Sequence, residues 1–149
     1  SSTIIHSPST NDTPLYWSAS DVWNNDAFAY WSGTYGHYTP WINSIQGWSA
    51  IAGSQGHSIT LNYATPAYIT GIVTQGRQNM GQWVTQANVE VSLDNTNWTT
   101  IFTNVNLNTD QNTQVNLLFP TVQYVKYVRV TPTNWNGHPS MRLGLLIKQ

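Results

Sequence analysis

The 149-residue chain predicts an all-β domain, built as a sandwich or jelly roll. Two observations carry that expectation. Apolar and polar residues alternate with a period of two through much of the second half, and no segment sustains the 3.6-residue period of an amphipathic helix. Many short strands separated by turn residues favour layered or rolled sheets. The chain is long enough for one core, and it contains no internal repeat or linker, so residues 1–149 read as a single domain.

The strands can be justified in order. In HSITLNY (57–63), Ile59, Leu61 and Tyr63 alternate with Ser58, Thr60 and Asn62. AYITGIVTQ (67–75) follows Pro66. In WVTQANVEVSL (83–93), Ala87, Val89, Val91 and Leu93 alternate with polar neighbours; Asp94-Asn95-Thr96-Asn97 then supplies turn chemistry, and NWTTIFT (97–103) returns as hairpin partner. QVNLLF (114–119), QYVKYVRVT (123–131) and SMRLGLLIK (140–148) complete the set, with Pro66, Pro120, Pro132 and Pro139 expected at or just outside strand ends. The first third reads as a long loop: residues 16–48 hold ten of the chain's nineteen aromatics, interrupted by Gly33, Gly36, Pro40 and Gly47. So long a loop in a compact domain points to function, although its rings also serve to plug one end of a barrel.

Composition narrows the partners. Charged residues make up 7 % of the chain while 40 % is hydrophobic and 13 % aromatic, so the surface is covered by neutral Asn, Gln, Ser and Thr. A net charge of −1 and no cluster of Lys or Arg exclude the usual electrostatics of nucleic-acid binding. Aromatics with few cations suit ligands that stack and hydrogen-bond, sugars foremost. The absence of cysteine removes disulfides, thiol catalysis and Cys-type zinc. Five Asp and one Glu form no pair recognisable as an acid and base, and no nucleophile, metallopeptidase or phosphate-loop motif is present; the expectation is no enzyme.

GRQNMGQW (76–83) sits between two strands and holds one of five Lys/Arg residues and one of two methionines. Gly76 and Gly81 are expected to use positive φ to let the loop jut out and return. Arg77 offers a planar fork for paired hydroxyls or a carboxylate, or else an internal salt bridge to Asp21 or Asp26. Met80 either packs the loop or touches an apolar ligand face. Trp83 and Trp135 read as barrel-end packing, and Asn136-Gly137 as a turn that leaves His138 either a satisfied turn residue or a sugar contact. Arg129 and Arg142 read as structural ion pairs to Glu90 or an aspartate, and His6 and His57 as incidental.

Three stretches together, ITGIVTQGRQNMGQWVTQANVEVSLDNTNW (69–98), YVKYVRVTPTNWNGHPSMRL (124–143) and Trp48-Ser49-Ala50, resemble the discoidin domain, also called the coagulation factor V/VIII type C domain, with carbohydrate-binding module family 32 among its relatives. The resemblance covers roughly residues 48 to 147. It implies a distorted jelly-roll sandwich of about eight core strands with ligand loops gathered at one end, and an extracellular or cell-surface setting. It also implies a non-catalytic activity: binding galactose-type sugars, with anionic phospholipid membranes or a protein such as collagen as alternatives. The implied rim offers Trp31, Tyr35, Tyr38 and Trp41 as ring platforms, and Asp26, His37, Asn43, Arg77, Gln78 and Asn79 as hydroxyl readers, with Met80 and His138 beside them; Asp26, His37, Trp41 and Arg77 are the preferred set. Sugar-binding relatives often hold a structural calcium, for which Asp21, Asn24 and Asp26 supply oxygen ligands here, but Gly144 stands where the family's closing Glu is expected. Many members tie their ends by a disulfide; here Ser2–Ile5 and Leu145–Ile147 must pair as strands instead. Weak single sites imply an oligomer or tandem modules.

Overall fold

A computed structural model describes residues 2–5, 15–23 and 40–148. Its strands are β1 (Ser2–Ile5), β2 (Leu15–Ala19), β3 (Trp48–Ser49), β4 (Ile59–Gln75), β5 (Trp83–Ser92), β6 (Thr99–Asn106), β7 (Val115–Asn136) and β8 (Ser140–Lys148). Every pairing is antiparallel, and the continuous path runs β1-β8-β4-β7-β5-β6, with β2 added to β4 and β3 to β8.

The sheet folds over itself because β4 and β7 are long and irregular. The first part of β4 pairs with β2 from Ile59 to Tyr63, and its last part pairs with β8 from Ile69 to Gln75. Between them the β4–β7 ladder shifts register at Asn62/Ala67 and again at Ile69/Gly71. Val84, Val89 and Val91 of β5 therefore share one core with Leu143, Leu145 and Ile147 of β8, although β5 and β8 are not ladder neighbours. Buried apolar area of this kind is the dominant favourable term in folding. β8 is buried from Ser140 to Ile147, as a strand covered on both faces must be. Leu146 faces the other way from Leu145, into a small second cluster with Ile42 and Val73.

Two expectations need correction. Pro66, Pro120 and Pro132 lie inside strands rather than at their ends: the segments 57–63 and 67–75 are one strand, as are 114–119 and 123–131. Each proline falls at or beside a break in the ladder, where a missing N–H is tolerated. The first third is also not wholly loop, since Tyr16 and Trp17 lie in β2. The chain ends pair as expected, Ser2 opposite Lys148 through Ile5 opposite Leu145.

Candidate functional site

The β4–β5 connection, residues 76–82, forms one wall of a cavity. Gly76 is required there by crowding, not by its φ: a Cβ would lie 2.7 Å from Trp83 Cβ and 2.8 Å from the Asp110 carbonyl oxygen. Neither Gly76 nor Gly81 has positive φ, which corrects the sequence expectation. The loop closes on itself through Arg77 N–H to Gln82 O (2.9 Å) and Gln82 N–H to Met80 O (2.7 Å), and leans on the 41–46 turn through Gln78 N–H to Gln46 O (2.9 Å). A second loop is knitted to it: Asn136 Nδ2 donates to Gly81 O at 3.0 Å, and Gly137, at φ +75°, makes the turn that presents His138.

Arg77 is 7 % exposed. Its Nε donates to Asn79 Oδ1 at 2.9 Å and its Nη1 to Gln82 Oε1 at 3.1 Å, so two of five N–H donors are engaged and three have no acceptor among the described residues. Burial pulls the guanidinium below its ordinary value, but an arginine remains a cation at neutral pH. The proposed salt bridge from Arg77 to Asp21 does not form; its partners are neutral amides.

Gln82 is held in turn by Ser140 Oγ at 2.9 Å, and Ser140 lies 2.7 Å from Ser49 Oγ. Since Ser140 gives its proton to Gln82, Ser49 is the donor in that second bond and keeps lone pairs for the cavity. His138 Nε2–H donates to Ala50 O at 2.7 Å, and its ring meets Trp23 edge-on with centroids 5.1 Å apart. Trp23, Ser49, Arg77, Met80, Gln82 and His138 line a cavity of about 180 Å³. One ring face, one flexible apolar arm, an arginine with open donors and a serine oxygen make a surface suited to a small polar molecule with apolar C–H patches.

Of the sequence-predicted residues, Arg77, Met80 and His138 meet at this cavity, and Asn79 orients Arg77 from behind. Trp41 is in the neighbouring turn, accepting Ser44 N–H at 3.2 Å, and does not line the cavity. Asp26, Trp31, Tyr35, His37 and Tyr38 lie outside the described residues. Trp23, Ser49 and Gln82 were missed as site residues. Trp23 and Gln82 sit within stretches that drew attention, but the pairing of β3 with β8 that brings Ser49 beside Ser140 has no local sequence signal.

The calcium set does not assemble from what is described. Both Asp21 oxygens already accept hydrogen bonds: Oδ1 from Ile51 N–H (2.8 Å), Oδ2 from His57 Nδ1 (2.5 Å) and Ser20 Oγ (3.0 Å). These bonds occupy three of the carboxylate's roughly four acceptor sites and direct it toward the 50–58 loop. Gly144 leaves no carboxylate in β8, no cluster of three His, Cys, Asp or Glu occurs among the described residues, and Asn24 and Asp26 lie outside them. Burial raises the Asp21 pKa, and the bonds from Ile51, His57 and Ser20 outweigh it, holding the carboxyl below its ordinary value. His57 is thus no incidental residue. Ser54 Oγ lies 3.0 Å from its Nε2, so serine, histidine and aspartate stand in line, bracing the 50–58 loop outside the cavity.

The remaining arginines divide. Arg129 forms the expected ion pair, with Nε and Nη2 each 3.1 Å from a Glu90 oxygen, and lies 4.0 Å over the Trp98 ring. Arg142 makes no ion pair with a described residue. Its guanidinium binds three backbone carbonyls and one amide oxygen.

Comparison with known proteins agrees with this architecture. The model of the F5/8 type C domain matches residues 6–145. One discoidin-1 polypeptide of Dictyostelium discoideum is 30 % identical over 103 residues, covering 68 % of this chain; the chain spans 41 % of that relative's length. Native recombinant discoidin II from the same organism superposes with a TM-score of 0.71 at 24 % identity, over 91 % of this chain and 56 % of that one. A family 32 CBM from C. perfringens NanJ, solved in complex with galactose, gives 0.65 at 12 % identity, over 89 % and 92 %. At these identities the two structures establish the fold.

Proposed function

The chain belongs to the F5/8 type C domain family, and from that premise we propose that it is a single, non-catalytic carbohydrate-binding domain of the galactose or N-acetylgalactosamine type. The observation that carries the reading is Arg77: buried, held by Asn79 and Gln82, lining the cavity, and with three donors that have no acceptor among the described residues. A hexose offers hydroxyl oxygens to those donors and a hydroxyl proton to Ser49, while its C–H patch lies on Trp23 or Met80. Buried polar groups left without partners are costly, so an epimer with one hydroxyl misdirected binds less well. The galactose held by the NanJ module of the same fold supports the choice of sugar. An extracellular or cell-surface glycan is the expected partner, engaged by several copies or linked modules to raise avidity.

Titration of the protein with galactose, followed by amide shifts, tests the proposal. Shifts at Arg77, Gln82, Ser49 and His138 are expected. A silent titration, together with no signal from multivalent protein on a glycan array, overturns it.

One observation favours a second reading. Ile45 and Met80 are 67 % and 47 % exposed at this pole, apolar tips of the kind that enter a membrane surface. The chain's two lysines and three arginines supply few cations for anionic headgroups. Cosedimentation with phosphatidylserine vesicles separates the two readings.

A further inference from the structure

A second cavity, of about 320 Å³, opens on the other side of the 76–78 backbone, lined by Asn43, Ser44, Ile45, Gln75, Gln78, Asn112 and Arg142. Its floor is a guanidinium that is 2 % exposed and bound only to neutral oxygens: Gly76 O at 2.7 Å, Ser44 O at 2.7 Å, Gln111 O at 2.9 Å and Asn112 Oδ1 at 2.8 Å. Among the described residues no carboxylate compensates it. The Asp110 carboxylate does not line the cavity and is taken by Asn112 N–H, Thr113 N–H and the Thr113 hydroxyl.

The surrounding amides have their orientations fixed. Asn43 N–H can only donate, so it faces Gln75 Oε1 at 2.8 Å; the Asn112 carbonyl can only accept, so it takes Gln75 Nε2 at 2.7 Å. That same Nε2 then makes Asn43 present its Oδ1, at 3.2 Å, and the guanidinium, which only donates, makes Asn112 present its own Oδ1. The amide oxygens of Asn43, Gln75 and Asn112 are therefore all engaged. What remains of the Asn43 and Asn112 amides and of Arg142 is Nδ2 of Asn43, Nδ2 of Asn112 and one guanidinium N–H, three donors around an uncompensated buried charge, while the unpinned Gln78 amide can turn either its N–H or its oxygen toward a ligand. Such a lining favours a group that only accepts and carries negative charge.

We propose that this cavity is an anion subsite for the carboxylate or sulfate of an acidic saccharide, a neighbouring unit of which occupies the Arg77 cavity. The proposal rests on the carbohydrate-binding reading and extends it to a ligand class. Gly76, Arg77 and Gln78 are consecutive: the Gly76 carbonyl binds Arg142, Gln78 lines this cavity and Arg77 the other, so one glycan chain can cross between them.

The test compares lactose with sialyllactose and with sulfated lactose by calorimetry. The acidic forms are expected to bind about ten-fold more tightly than lactose. Asn112→Asp keeps the oxygen that faces Arg142 but replaces the Nδ2 donor and neutralises the charge. It should abolish the acidic preference and leave lactose affinity unchanged, with the melting temperature as folding control. Equal wild-type affinities for lactose and its acidic forms overturn the subsite while leaving the lectin reading intact. If no saccharide binds, the lectin reading fails, and titration with sulfate ion alone decides the subsite. Amide shifts at Asn43, Gln78 and Asn112 that vanish in Asn112→Asp support it, and none overturns it. Phosphatidylserine vesicles that sediment wild type but not Asn112→Asp, with sialyllactose no better than lactose, overturn the saccharide assignment in favour of a headgroup.

Discussion

Oδ2 of Asp21 lies 2.5 Å from Nδ1 of His57, while Oδ1 of the same carboxylate takes the Ile51 N–H at 2.8 Å. Together these bonds tie the end of β2 to the loop that leads into β4, and the Asp21 carbonyl accepts Trp48 Nε1 at 2.9 Å from the fully buried indole between them. The residue that the sequence offered as a metal ligand braces these two segments.

The brace makes stability depend on acid. Asp21 has a folded pKa below its ordinary 3.8, so its ionised form stabilises the native state above that value and the contribution is lost as pH falls through the lower, folded value. Asp21→Asn should cost about 1–3 kcal/mol at neutral pH. Urea unfolding of both proteins should show the difference shrinking well below pH 3.8.

Among the described residues no three His, Cys, Asp or Glu side chains converge, and the Asp21 carboxylate is drawn toward the 50–58 loop. Thermal unfolding with excess calcium and with a chelator should give the same midpoint. A rise with calcium would place a site on residues other than the Asp21 carboxylate as it stands here.

Arg77→Lys keeps the cation but replaces a planar fork with a point charge that cannot hold both Asn79 and Gln82 in the same geometry. Sugar affinity should fall about ten-fold or more, a loss of roughly 1.4 kcal/mol in binding, with little change in melting temperature. Asn79→Ala should weaken binding less, through a mobile Arg77, and calorimetry against the same sugar ranks the three proteins.

The two loop glycines should behave differently. A Cβ on Gly76 meets the Trp83 Cβ and the Asp110 carbonyl at under 3 Å, so Gly76→Ala should destabilise by about 1–3 kcal/mol. Gly81 has nothing within 4 Å of such a Cβ and negative or extended φ, so Gly81→Ala should be near neutral. Chemical denaturation of the pair reads the contrast directly.

Much of the fold was legible because one buried face imposes alternation: Ala87, Val89 and Val91 of β5 could be assigned to the core from their spacing alone. Pro66 and Pro120 misled, since a proline inside a bent strand looks the same in sequence as one at its end. The site was legible in part. Arg77 stood out as a rare cation on a loop between strands, and His138 as the residue after a turn. Ser49 did not, because its role depends on a contact with Ser140, ninety-one positions away. Arg142 resembled an ion-pair partner, and only the convergence of four neutral oxygens from separate loops reveals otherwise.

The β1–β8 ladder has a practical corollary. Ile147 pairs opposite Ile69 and Arg142 opposite Gln75, so residues 2 and 148 sit side by side about six residues, or roughly 20 Å, along the sheet from the two cavities. An anchor attached at either position would therefore hold both cavities facing away from the support. Beads, vesicles or a self-assembling scaffold could carry dense arrays of this domain with every binding mouth presented outward.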